Sequence, residues 1–105
     1  MLRSGFAKFC LLVGAVLATT EAAVAADVAR GAQLAQRWCA NCHVLGGKPP
    51  ATIQQGPPSF HAIAQGNPTD NQLRIFLAHP HGGMPDLALS RSEITDLIGY
   101  IDTLR

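Results

Sequence analysis

The residues of this chain best suited to chemistry are Cys39-Ala40-Asn41-Cys42-His43. Two thiols three positions apart stand on one helical turn, and an imidazole follows the second directly. A C-x-x-C pair alone serves thiol oxidoreductases, zinc half-sites and covalent haem attachment alike. A histidine immediately after the second cysteine is the mark of haem attachment. There, each thiol adds to a vinyl group of one porphyrin, and the histidine ligates the iron. Cys39 and Cys42 anchor; His43 coordinates.

The competing chemistries fit less well. Structural zinc needs a second ligand pair, and His61, His79 and His81 offer neither another C-x-x-C nor an H-x(3–5)-H spacing. A thiol oxidoreductase places its pair after a strand in a βαβ pattern, and no strand pattern precedes Trp38. A Cys39–Cys42 disulfide would close a tiny loop and stabilise little.

The elements around the motif begin with a leader. Met1-Leu2-Arg3 and Lys8 are followed by an apolar run from Phe9 to Ala18 and by the small-residue stretch Glu21 to Ala26. This is the pattern of a secretory signal peptide, with cleavage after Ala25 or Ala26. The apolar run is about ten residues, too short to cross a bilayer of roughly 30 Å as a helix, so no stable membrane insertion is expected after cleavage. Cys10 lies early in that run and is read as a discarded apolar residue, not as a lipid anchor.

We assign 1–26 to the leader and 27–105 to one small domain. Those 79 residues carry six Lys/Arg against six Asp/Glu, so no charge excess points to nucleic acid. So short a chain has little core of its own and needs a staple, which a bonded haem would supply.

Asp27 is a plausible N-cap for a first helix over 28–37, with Ala32, Leu34 and Ala35 as its apolar face. Gly31 costs that helix about 1 kcal/mol relative to alanine, which argues for another backbone close by. Gly46-Gly47, Pro49-Pro50 and Gly56-Pro57-Pro58 make 44–58 a loop. A short helical stretch over 59–65 carries Phe60 and Ile63. Thr69 with Gln72 forms a capping box before Leu73, Phe76 and Leu77, ending at His79-Pro80. A second box, Ser90 with Glu93, opens the clearest helix, with Ile94, Leu97, Ile98, Ile101 and Leu104 on one face to the C-terminus. The class is all-α, three to four helices with long loops.

Cys39 to His43, the late Met84-Pro85 and the terminal amphipathic helix together resemble a class I c-type cytochrome over the whole of 27–105. The resemblance implies a small cytochrome c fold wrapped around one covalently attached haem c, with His43 and Met84 as axial ligands. Apart from Met1, which leaves with the leader, Met84 is the only methionine. It also implies a proline whose carbonyl accepts a hydrogen bond from the proximal imidazole, which we assign to Pro58 with Pro57 as alternative, and an apolar residue against the haem two positions on, Phe60. The family crosses its first and last helices at a glycine, pairing Gly31 with Leu97 or Tyr100. Ala35, where the family carries a bulkier residue, suggests a thinly packed crossing. Trp38 is expected against the haem region.

The function implied is a periplasmic one-electron carrier, not an enzyme, exchanging electrons with redox proteins such as a donor dehydrogenase and an acceptor oxidase or reductase. Two alternatives share the motif. One is a dedicated haem subunit of a larger periplasmic dehydrogenase, which would show an exposed apolar docking patch. The other is a ligand-binding or peroxidatic haem protein, which would need Met84 displaced and a distal donor such as His79 or His81. Otherwise His61, His79 and His81 are surface residues, able to couple the potential to pH only if one lies near a propionate.

Overall fold

A computed structural model describes residues 25–50, 55–79 and 82–105. The leader lies outside them except for Ala25 and Ala26, as do Pro80 and His81. Among the described residues there are four α-helices and no strand: α1 (Val28–Trp38), α2 (Phe60–Gln65), α3 (Asp70–Ala78) and α4 (Arg91–Asp102). None is long and apolar enough to cross a membrane.

Each helix begins where a short polar side chain can receive an otherwise unpaired N–H. Asp27, Ser59, Thr69 and Ser90 are all in extended backbone, and their side chains accept from Arg30, Ala62, Gln72 and Glu93 respectively. Both capping boxes close reciprocally. On α4, Ser90 N–H donates to Glu93 Oε1 at 2.9 Å and Glu93 N–H donates to Ser90 Oγ at 3.1 Å. The Ser90 backbone N–H, and then its hydroxyl, hold the Glu93 carboxyl below the usual carboxylate range. Glu93's share of the cap is therefore present above the unfolded carboxyl pKa of about 4.3 and fades as pH falls through the lower folded value. Ser90→Ala should lower the unfolding free energy by about 1 kcal/mol, read by denaturant titration of the haem-loaded protein.

The core is built on α4. Ile94, Leu97, Ile98 and Ile101 are buried there, and Leu34 and Ala35 from α1, Cys39 just after it, Phe60 and Ala64 from α2 and Leu73 from α3 close over them. The α1–α4 crossing is tight. A methyl on Gly31 would fall 2.0 Å from the Asp96 carbonyl oxygen and 3.0 Å from the Tyr100 Cβ. Tyr100 is thus at the crossing as anticipated, but the closest approach is to the Asp96 backbone, with Leu97 one residue further on in the core. Ala35 is completely buried. Its small side chain fills the space it has, and the expectation of a thin crossing is overturned.

Two further details differ from the sequence pattern. Ser59 is the cap of α2 and not its first helical residue. And α4 stops at Asp102, after which Thr103 Oγ1 donates to the Tyr100 carbonyl at 2.6 Å. Arg105 then turns back, with its guanidinium on Asp102 at 2.9 Å and on the Asn67 side chain and Pro68 carbonyl of the α2–α3 connection. Leu104 remains partly buried against the core.

Candidate functional site

The C-x-x-C-H run starts at the end of α1. Cys39 is its C-cap and donates its N–H to the Ala35 carbonyl at 2.8 Å; the N–H groups of Cys42 and His43 then both reach the Cys39 carbonyl, at 3.1 and 2.9 Å. This turn fixes the five residues relative to one another. Cys39 and Cys42 are free thiols, the first buried and the second exposed. Burial, and then the neighbouring Cys42, raise the Cys39 pKa, so that thiol is protonated at neutral pH.

His43 is oriented from a distance of fifteen residues. Its Nδ1–H donates to the Pro58 carbonyl at 2.6 Å, and because a carbonyl only accepts, Nε2 keeps its lone pair for a metal. Pro58, not Pro57, makes this contact. The Phe60 ring stands edge-on to the imidazole, with centroids 5.6 Å apart and planes at 62°, and Phe60 in turn meets Tyr100 at 6.0 Å. Two more bonds fasten the intervening loop: Phe60 N–H to the Val44 carbonyl at 2.9 Å and His61 Nδ1–H to the Gly47 carbonyl at 2.9 Å. His61 is therefore a loop fastener. Nothing in the sequence marked that role, since only the folded loop brings Gly47 beside it.

Met84 lies elsewhere on the surface of the helices, half-buried, in a shallow recess with Phe76, Leu77, Pro85, Leu87 and Leu89. It follows Gly82, whose φ of +52° lies in the left-handed region open to glycine. Ala88 sits at φ +50° and is held there by its N–H to Asp86 Oδ1 at 2.9 Å. Of the apolar α3 residues, Leu73 enters the core, Leu77 is half-buried and Phe76 is 53% exposed beside 56% for Ile75. Trp38 is also exposed, at 49%, and is not packed away. His79 is exposed at the end of α3, and His81 lies outside the described residues.

The structure thus joins Cys39, Cys42, His43, Pro58 and Phe60 into one assembly and places Met84 on the α3 side. An imidazole nitrogen and a thioether sulfur suit haem iron. The half-exposed apolar side chains Trp38, Val44, Ile75 and Phe76 fit the demand of a flat apolar plate for cover. No three His, Cys, Asp or Glu side chains among the described residues form a group that could hold a metal ion, which a zinc cage would require.

Comparison with known proteins agrees with this chemistry. A family model described as cytochrome C oxidase, cbb3-type, subunit III matches residues 26–101. Cytochrome c-552 of Bradyrhizobium diazoefficiens is 42% identical over 95 residues, covering 90% of this chain and 90% of that protein. No solved structure matches.

Proposed function

The chain belongs to the c-type cytochrome family, an electron carrier with covalently bound haem c, and on that premise we propose that Cys39 and Cys42 hold a single haem with His43 and Met84 as its axial ligands. Bound there, haem c supplies one-electron cycling between ferrous and ferric iron. Thioether bonds from Cys39 and Cys42 would hold the ring at the end of α1. The observation that carries the reading is the bond from His43 Nδ1–H to the Pro58 carbonyl, 2.6 Å long. It sets the tautomer and the plane of the imidazole in advance and makes Nε2 a better donor. Phe60 supports the same ring from its edge. Met84 contributes a neutral, polarisable sulfur that favours the reduced metal and raises the potential. With His43 and Met84 as the two ligands, the iron would have no position left for a substrate.

The leader places the carrier in the periplasm, and its partners are redox proteins there: a donor dehydrogenase and an acceptor oxidase or reductase. A second reading, a haem subunit of a larger dehydrogenase, requires that part of the apolar set Trp38, Val44, Ile75 and Phe76 stays uncovered once haem is bound. It predicts that the protein co-purifies with its partner from native membranes or periplasm.

Ligation is tested by the absorption of the ferric, haem-loaded protein at neutral pH. A weak far-red band from thioether-to-iron charge transfer is expected, and Met84→Ala should abolish it while covalent haem remains. A wild-type protein with haem but no such band would return the site to bis-histidine or open coordination.

A further inference from the structure

Asp96 is a buried acid at the α1–α4 crossing, 6% exposed. Its Oδ1 accepts the backbone N–H of Asp27 at 2.9 Å. Its Oδ2 lies 3.7 Å from Arg30 Nε, on a side chain that is 55% exposed. A neutral amide and a solvated guanidinium are a thin complement for a carboxylate removed from water, which calls for a closely held positive partner.

The segment that delivers the amide is itself seated. A methyl on Gly99 would fall 2.5 Å from the Ala26 Cβ and 3.7 Å from Val28 Cγ2, so the missing side chain of Gly99 is the space that Ala26 occupies. The Asp27 carboxylate, accepting from Arg30 N–H at 2.9 Å, fixes the next residue. Ala26, though exposed, thus rests against α4 at Gly99. Just upstream, Ala23-Val24-Ala25 is a small-residue box of the kind behind which secretory leaders are cut.

We propose that the leader is removed between Ala25 and Ala26, and that the α-ammonium released on Ala26 pairs with Asp96. A cut after Ala26 would discard the methyl that fills the Gly99 space, whereas a cut after Ala25 keeps every contact described. The new ammonium begins one peptide unit, about 3.8 Å along the Cα trace, from the N–H that Asp96 already accepts. Asp27 adds negative charge beside it and Arg30, with Glu93 in its own field, opposes it, while Tyr100 lies at the same crossing near Gly31. Maturation then adds a second cation to the solvated one that Arg30 supplies, and export becomes linked to the packing of α1 on α4. The inference rests on the exported-cytochrome reading and moves the domain boundary by one residue.

The test uses the haem-loaded protein exported from its own leader. Intact mass and N-terminal sequencing read the first residue and the haem together, and titration of the α-amino group by NMR reads the pairing. Ala26 is expected first, with an amino pKa above the ordinary range of about 7.7–8.0, returned to that range by Asp96→Asn. Because the folded pKa is raised, the pair stabilises below the unfolded value and its contribution is lost as pH rises through the folded one. Wild type, and not Asp96→Asn, should lose stability in that window. A first residue other than Ala26, or an ordinary amino pKa in the wild-type protein, overturns the proposal whether or not the variant folds. Protein that starts at Ala26 but carries no haem would sink the cytochrome reading instead.

Discussion

A Cys39→Ala/Cys42→Ala protein is expected to leave the cytoplasm without covalent haem and to lose most of its helical far-ultraviolet signal. Residues 27–105 are too few to bury a sufficient core unaided. The buried side chains among the described residues form one layer centred on α4. Beyond that layer, Trp38, Val44, Ile75 and Phe76 present apolar surface to water. A bonded plate covers such surface and lowers the entropy of the loop that carries it; without the plate, the entropy of ordering several dozen loop residues has little to oppose it. Intact mass and circular dichroism of the double variant decide the matter together. A haem-free protein with undiminished, cooperatively melting helix would show that the α1–α4 core suffices.

Gly31→Ala is expected to have the largest effect of any single methyl added to the domain. The new carbon would lie 2.0 Å from the Asp96 carbonyl oxygen and 2.6 Å from the carbonyl carbon, both backbone atoms that no rotamer change can move. The helices must separate, exposing Ala35 and Leu97 at the crossing. Overpacking typically costs about 1–3 kcal/mol, and a backbone obstacle puts this case at about 3 kcal/mol or beyond. For a domain of this size that lowers the melting temperature by on the order of 10–20 °C. Gly99→Ala is the internal comparison, because the obstacle there is an alanine methyl on the N-terminal segment, which can shift. A Gly31→Ala protein melting within a couple of degrees of wild type would contradict the close crossing.

Much of this architecture can be read from local chemistry. The helix starts were legible because Asp27, Thr69 and Ser90 each bring their own acceptor, and two of them bring the reciprocal glutamine or glutamate. The C-x-x-C-H run was legible because its geometry is local to one turn. What escaped the sequence is what depends on one element meeting another. Periodicity says that α1 has a small-residue face; it does not say that Gly31 meets the carbonyl of Asp96, or that Ala35 fills its space completely. The apolar spacing of Leu73, Phe76 and Leu77 identifies one helical face, yet the fold divides it, sending Leu73 to the protein core and leaving Phe76 beside Met84. Pro58 was chosen over Pro57 from the resemblance, two residues ahead of Phe60, and its carbonyl does meet His43; only the closed loop, by contrast, makes His61 a partner of Gly47. The end of α4 was missed because no glycine or proline stops it: the turn at Thr103 is set by Arg105 reaching back to Asn67 and Pro68.

The two proposed iron ligands are mounted with unequal compliance. His43 is braced by the Pro58 carbonyl, by the Phe60 edge and by a loop fastened at Val44 and Gly47. Met84 follows Gly82 and Gly83, around which a methyl would meet nothing within 4 Å, and precedes the left-handed Ala88. With Met84 as ligand, a load from heat, a docking partner or a change of charge at the iron would be taken up on the methionine side, while the imidazole stays registered to the helices. In the proposed site, His43 would serve as a fixed datum and Met84 as a spring.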